Sequence, residues 1–144
     1  MKKEKSCGAA VYKYENGKRL YLLEHMVQGH VSLPKGHVEQ NETETETAER
    51  EIREETNLTV KLDTNFRKVI TFSPYENIIK DVVFFVAECI GGEMKNQECE
   101  VNRLEWADFE TALQKVFPSS SRKGRRYIRR WSAWRNWRSM WTPC

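Results

Sequence analysis

The sequence predicts an α/β fold (α+β in the broader sense): an α/β/α sandwich with a mixed β-sheet between helices. Strand-like segments outnumber helical ones along the 144 residues, and two helices are available, one for each side of the sheet. Residues 81–88 are apolar on both faces, which predicts an interior strand that is covered from both sides. The length fits a single domain with a real core.

The first predicted elements form a β-hairpin. Residues 6–14 are rich in small and β-branched side chains and predict a strand. Asn16-Gly17 is a turn signal, and residues 19–25 form the returning strand. Pro34 ends any strand in the loop that follows, because proline cannot donate a ladder hydrogen bond.

Strands also dominate the second half of the domain. Two separate strands are predicted at residues 59–62 and 66–72. After the interior strand, a Gly-Gly turn leads to a short strand at residues 104–106. Asp108 is placed to cap a helix that continues to about residue 116.

The helix that follows the glycine turn has a start signal and a stop signal. Thr43 with Glu46, or Asn41 with Glu44, supplies a capping box. Asn57 stands where a left-handed C-cap residue is expected, and asparagine tolerates that conformation second only to glycine.

Three carboxylates fan out along one side of this helix. The only stripe predicted to be buried comprises Thr45, Ala48 and Ile52. Measured from Ile52, Glu55 lies about 60° round the helix, Glu51 about 100° and Glu54 about 160°. Their mutual repulsion destabilises a bare helix, and a hard divalent cation such as Mg²⁺ would remove it.

A solvated acidic helix is the alternative explanation of this pattern. Opposite charges four residues apart, such as Arg50 and Glu54, would stabilise such a surface. The complete spacing favours a site: glycine, five residues, glutamate, seven residues, Arg-Glu, an aliphatic residue, any residue, Glu-Glu, any residue, a cap and an aliphatic residue. This arrangement from Gly36 to Leu58 resembles the Nudix box of the Nudix hydrolase family. The one departure is Asn57, where the family usually has glycine.

Two further stretches narrow the resemblance. Residues 6–12 and 33–39 look like those of the asymmetrical bis(5′-nucleosyl)-tetraphosphatases, the diadenosine tetraphosphate (Ap4A) hydrolases. The similarity covers the chain from Ser6 to about Val116. It implies a Nudix-type sandwich and hydrolysis of Ap4A to ATP and AMP, with Mg²⁺ or Mn²⁺ as the cofactor.

The resemblance also implies roles for residues of the box. The backbone carbonyl of Lys35 and the carboxylates of Glu51 and Glu55 would bind the metal. Glu54 would be an outer ligand or the base, and Arg50 would orient the glutamates by ion pairing. A further carboxylate usually comes from a loop outside the box, and the candidates are Glu98 and Glu100.

Contacts to the substrate are predicted for a second group of residues. Lys35 and Lys80 would neutralise the outer phosphates, although surface lysines are common. The other residues predicted to line the substrate site are His30, Gly36, His37 and Tyr75. Of these, His37 also fits a structural role in its loop, which we favour, and Tyr75 would stack on a base or be a structural tyrosine.

The charge distribution divides the chain at residue 117. Residues 1–117 hold 16 Lys+Arg and 21 Asp+Glu, a net charge of 16 − 21 = −5, whereas residues 118–144 hold eight basic residues and no acidic one. Four of the five tryptophans also lie in this second segment. We therefore expect a Nudix hydrolase domain at 1–117 and a basic, Trp-rich tail at 118–144.

The tail is atypical of the family, and three explanations remain open. Its composition is typical of out-of-frame translation or a cloning-derived segment. It also fits a docked C-terminal helix, or an element that binds RNA or an anionic membrane. Residue roles carried over from the family therefore stop at Val116, and Tyr127 is the one aromatic residue of the tail considered for base stacking.

Other classes of protein are less compatible with the sequence. The apolar runs are too short to span a bilayer, and the N-terminal residues show no signal-peptide pattern. The four cysteines show no CxxC spacing, so we expect reduced thiols, a cytoplasmic location and a monomer or weak dimer. The alternative functions are a (d)NTP pyrophosphatase, an RNA 5′-pyrophosphohydrolase, and an RNA-binding adaptor that uses the tail.

Overall fold

A computed structural model describes residues 1–97 and 99–116. Within these ranges the chain forms seven strands and two helices. In chain order they are β1 (Lys2–Glu15), β2 (Lys18–Met26), β3 (Val31–Ser32), β4 (Lys35–His37), α1 (Glu44–Thr56), β5 (Thr59–Phe72), β6 (Ile78–Gly91), β7 (Val101–Ala107) and α2 (Phe109–Val116).

The strands form one mixed sheet with the order β3-β2-β1-β6-β5, while β4 pairs with β1 and β7 pairs with β2. Strands β1 and β6 run parallel, and the other pairs are antiparallel. Ala48 and Ile52 of α1 join the core cluster on one face, and Phe109 and Ala112 of α2 join the cluster on the other. The predicted α/β/α sandwich is therefore confirmed, with one helix on each side of a mixed sheet.

The hairpin and the interior strand also agree with the prediction. Asn16 and Gly17 adopt positive φ angles of 52° and 79° between β1 and β2, as a two-residue hairpin turn requires. Strand β6 lies between β1 and β5, and residues 82–87 are all buried. At the start of α2 the Thr111 N–H donates to Asp108 Oδ1 at 2.8 Å, so Asp108 is the predicted cap.

The prediction of two strands at residues 59–62 and 66–72 is wrong, because β5 is continuous. Its pairing with β6 is irregular between Asp63 and Lys68. The Asn65 N–H donates to Asp63 Oδ1 at 3.0 Å within this segment. A polar stretch that interrupts the ladder without ending the extended backbone looks, in the sequence, like a turn.

The short strands β3 and β4 were not predicted. They lie on either side of Pro34, and β4 pairs antiparallel with β1. The Pro34 carbonyl accepts a hydrogen bond from the Ala9 N–H at 3.2 Å. A Cβ at Gly8 would lie 2.0 Å from that carbonyl oxygen. Gly8 in β1 therefore allows Pro34 and the start of β4 to lie close against β1.

Two further findings on the described residues concern membrane-spanning helices and cysteines. Neither helix there is long and apolar enough to cross a membrane. Cys7, Cys89 and Cys99 are free thiols. The predicted tail at 118–144, with Cys144 and Tyr127, lies outside the described residues, as does Glu98.

Candidate active site

The two ends of α1 are fixed by the predicted caps. The Glu46 N–H donates to Thr43 Oγ1 at 3.2 Å, and the Thr43 N–H donates to Glu46 Oε1 at 3.4 Å. The capping box is therefore the Thr43–Glu46 pair. Asn57 has φ 62° and donates its N–H to the Arg53 carbonyl at 2.9 Å. Fixed ends hold the glutamates of α1 in one position relative to the sheet.

The buried face of α1 differs from the predicted stripe. Its buried residues are Thr47, Ala48, Ile52, Glu55 and Thr56. Thr45, which was expected to be buried, is half-buried, while Glu55 is only 3% exposed. The prediction placed Glu55 beside the buried stripe, about 60° from Ile52, whereas Glu55 is itself buried and accepts a hydrogen bond from the Lys35 N–H at 3.3 Å.

Arg50 holds several carboxylates together. Its guanidinium donates to Glu42 at 2.6 and 3.0 Å, to Glu51 at 2.9 Å and to Glu54 at 3.1 Å. It also donates to the His37 carbonyl at 3.0 Å. The hydrogen bond from Arg50 lowers the pKa of Glu42 to about 2. These contacts are the ones that the predicted orienting role of Arg50 needs.

Gly36 leaves the space that the Glu51 side chain occupies. A Cβ at Gly36 would lie 2.0 Å from Glu51 Cδ. The pKa of Glu51 is raised, because the effect of burial is larger than the opposing effect of the hydrogen bond from Arg50. The Glu51 carboxylate is therefore held between the backbone of β4 and the guanidinium of Arg50.

Glu24 belongs to the same site and was missed in the sequence. It is 1% exposed on β2, and its Oε1 atom has no hydrogen-bond partner among the described residues. Its carboxyl group lies within hydrogen-bonding reach of Glu55, and burial raises the pKa of both groups. The signal was present, since Glu24 is two residues after Leu22, which packs beneath α1. A carboxylate thus occupies a position where the strand pattern requires an apolar residue.

A cavity of about 580 Å³ opens between α1, β4 and the loop before β7. The predicted site residues that line it are His30, Lys35, Gly36, His37, Arg50, Glu51, Glu54, Glu55 and Glu100. It is also lined by Met26, Gln28, Glu39, Gln97 and Cys99. The structure therefore brings the loop carboxylate Glu100 to the same cavity as the glutamates of α1.

Two of the predicted substrate residues lie outside this lining. Tyr75 is 73% exposed in the connection between β5 and β6. Lys80 on β6 is close enough to His37 that its charge, after burial, lowers the pKa of that imidazole. The substrate-binding roles of Tyr75 and Lys80 stay predictions.

The side chains present are of the types that bind a divalent cation, although those of the described residues do not converge on one position. No three His, Cys, Asp or Glu side chains converge as a metal site within residues 1–97 and 99–116. Arg50 holds Glu51 and Glu54, and the Lys35 N–H holds Glu55. The available donors are carboxylate oxygens, which Mg²⁺ and Mn²⁺ prefer. The unpartnered Glu24 oxygen and the space left by Gly36 also fit a small ion.

Comparisons with known proteins find curated relatives of similar sequence. The chain is 35% identical over 100 residues to an 8-oxo-(d)GTP phosphatase of Mycolicibacterium smegmatis, a match that covers 69% of the chain and 30% of the relative. The chain spans less than a third of the length of the curated relatives that it matches.

Solved structures show the same fold. The binary complex of a C. elegans Ap4A hydrolase superposes with a TM-score of 0.75 at 24% identity, covering 92% of this chain and 98% of that one. A Nudix hydrolase from Nitrosomonas europaea gives a TM-score of 0.70 at 16% identity, covering 92% and 90%. Residues 6–131 match the family profile described as the NUDIX domain. The chain therefore belongs to the Nudix family.

Proposed function

We propose that this protein hydrolyses a phosphoanhydride bond of a nucleotide with the help of Mg²⁺ or Mn²⁺. The observation that carries the proposal is the cavity that Glu51, Glu54 and Glu55 of α1 line together with Glu100 and Lys35. Carboxylates alone would repel a polyphosphate, and a divalent cation reverses the sign of such a site.

The metal would be held by Glu51, Glu55 and the backbone carbonyl of Lys35, with Glu54 as an outer ligand or the base. When bound, the ion supplies electrostatic stabilisation of the reacting phosphate and lowers the pKa of water. Glu54 has a half-exposed side chain at the cavity and contacts Arg50, so its carboxylate is within reach of a substrate in the cavity.

The chain's own residues would position the substrate. Arg50 fixes the directions of Glu51 and Glu54 through its planar fork of donors. Lys35, His30 and His37 line the cavity and can donate to phosphate oxygens. The lowered pKa of His37 keeps its imidazole neutral at pH 7, in which form one ring nitrogen still donates.

Ap4A is the first proposed substrate, with cleavage to ATP and AMP. The resemblance of residues 6–12 and 33–39 to Ap4A hydrolases supports it, and the C. elegans structure shows that the two folds agree over almost the whole chain. A nucleoside triphosphate is the second candidate, because a curated relative with 35% identity over 100 residues acts on 8-oxo-(d)GTP by name.

A product-resolved screen tests both candidates. The protein is incubated with Ap4A, dGTP, 8-oxo-dGTP or a 5′-triphosphorylated RNA, each with Mg²⁺, and the products are separated by chromatography. An Ap4A hydrolase releases ATP and AMP, whereas a triphosphate pyrophosphatase releases pyrophosphate. Turnover of dGTP without turnover of Ap4A would reject the first substrate and favour the second. A Glu55→Gln preparation, purified in parallel, controls for contaminating hydrolases.

A further inference from the structure

Glu24 is the most deeply buried acidic side chain among the described residues, at 1% exposure. It extends from β2, a strand of the sheet, and so it is outside the box helix. The neighbouring side chains Leu22 and Leu23 are fully buried. A carboxylate in such surroundings is costly unless its oxygens are bound, because burial removes water that would solvate them.

The Oε1 atom of Glu24 is buried without a hydrogen-bond partner among the described residues. The carboxyl group as a whole is within hydrogen-bonding reach of Glu55, yet Oε1 has no partner in residues 1–97 or 99–116. Charges that act on Glu24 come from three other elements: Lys35 on β4, Glu51 and Glu55 on α1, and Glu100 before β7. The carboxylates of the site outnumber its cations Lys35 and Arg50, which leaves it with excess negative charge.

The surrounding residues are those of the proposed cation site. Glu55 is 3% exposed and accepts a hydrogen bond from the Lys35 N–H on one oxygen, Oε2. Glu24 therefore adjoins Glu55 from the side of the sheet, while Glu51 acts on it from one turn earlier in α1. A divalent ion beside Glu55 would bind the unpartnered oxygen of Glu24 and would compensate for the excess negative charge.

We propose that Glu24 is an additional ligand of the divalent cation, which it binds through Oε1 from the side of the sheet. This inference rests on the proposed function, since it requires that an ion occupies the site. The proposal has a consequence for cation binding by the nucleotide-free protein. Mg²⁺ sites in nucleotide enzymes usually have few protein ligands and share the ion with substrate phosphates. A carboxylate added from β2 gives this protein a site that binds the ion before the nucleotide arrives.

The alternative is that Glu24 only shares a proton with Glu55 and has a structural role. Glu24→Gln distinguishes these explanations, because the amide preserves the shape and can still donate a hydrogen bond to Glu55. The amide lacks the negative charge of a cation ligand. A structural role therefore predicts an unchanged metal affinity, and a ligand role predicts a lower one.

The test measures Mn²⁺ binding to the nucleotide-free full chain by calorimetry and by electron paramagnetic resonance. We expect wild type to bind Mn²⁺, and Glu24→Gln to bind it at least about tenfold more weakly. Glu49→Gln is the matched control, because Glu49 is an exposed glutamate of α1 outside the cavity lining. Circular dichroism and the melting temperature show whether each variant is folded.

Each outcome separates this inference from the proposed function. If Glu55→Gln weakens Mn²⁺ binding and a folded Glu24→Gln does not, the inference about Glu24 is overturned and the metal-dependent function stands. If wild type binds no Mn²⁺ even with nucleotide present, both are overturned. Should Glu24→Gln fail to fold, anomalous scattering from wild-type crystals soaked in Mn²⁺ decides the matter. An ion within about 2.5 Å of Glu24 Oε1 supports the proposal, and an ion bound elsewhere overturns it.

Discussion

Gly36 lies against the Glu51 carboxylate so closely that no other residue fits there without moving it. A Cβ at Gly36 would lie 2.0 Å from Glu51 Cδ, 2.2 Å from Oε2 and 2.3 Å from Oε1. The overlapping atoms are the far end of a flexible side chain. A methyl group at Gly36 would therefore displace the carboxylate while the fold remains.

Gly36→Ala is thus expected to lower activity far more than stability. With Glu51 pushed away from its position, turnover should fall at least about tenfold, since a displacement of about 1 Å in a catalytic group is costly. Initial rates on the best substrate of the screen, together with thermal melts, measure the two effects.

Gly91→Ala is the control for that experiment. A Cβ at Gly91 has no heavy atom within 4 Å among the described residues, and the backbone there does not have positive φ. This variant should keep wild-type rates. A Gly36→Ala protein that also kept them would show that the position of the Glu51 carboxylate does not matter for turnover.

Glu55→Gln tests the assignment of the buried glutamate. Loss of a metal ligand should cut turnover at least about a hundredfold, because a bound ion supplies several kcal/mol of transition-state stabilisation. The melting temperature should not fall, since Gln removes a buried carboxylate whose pKa burial has raised and retains the side-chain shape. Steady-state kinetics at saturating Mg²⁺ check the first expectation. A rate within twofold of wild type would remove Glu55 from the site.

The positions of these glutamates were only partly predictable from the sequence. The spacing from Gly36 to Asn57 depends on local rules of helix capping and period, so α1 and its caps were predicted correctly. The burial of Glu55, in contrast, has a long-range cause that local rules do not capture. It depends on packing against the sheet, where Glu24 of β2, a residue 31 positions earlier in the sequence (55 − 24 = 31), comes within hydrogen-bonding reach of Glu55.

The sheet shows the same division between local and long-range causes. Asn16-Gly17 specifies its hairpin because the turn itself requires positive φ. Strand β4 has only three residues, and it exists because β1 supplies a partner and Gly8 allows the close approach of Pro34. No pattern within so few residues distinguishes such a strand from a loop.

Arg50→Lys tests whether the guanidinium is needed as a fork. Arg50 donates to three glutamates and to the His37 carbonyl at the same time, and a lysine ammonium is a point charge that cannot span them. We expect turnover to fall about tenfold or more, and the melting temperature to fall by a few degrees, roughly 3–6 °C. Arg53→Lys, an exposed arginine of the same helix, should change neither quantity. If Arg50→Lys also left turnover and melting temperature unchanged, Arg50 would act only through its positive charge and not through its planar shape.

The pH dependence of stability is expected to follow Glu44, at the start of α1. Arg67 donates to both of its oxygens at 2.8 Å, and Lys5 forms a further ion pair with it. These contacts, with the hydrogen bond from Arg67 as the largest cause, lower the pKa of Glu44 from 4.5 to about 2. A carboxyl group whose pKa is lower in the folded state stabilises that state above pH 4.5. This contribution is lost as the pH falls from about 4.5 through about 2, because the proton then removes the charge.

Glu44→Gln should therefore be less stable than wild type at pH 7, by about 1 kcal/mol after allowance for solvent screening of a partly exposed pair. The difference should shrink below pH 4.5 and vanish near pH 2. Urea unfolding at a series of pH values measures it, with Glu49→Gln as the control for loss of one charge. A difference that stayed constant from pH 7 to pH 2 would mean that the ionisation of Glu44 is not the source of the stability that the variant loses.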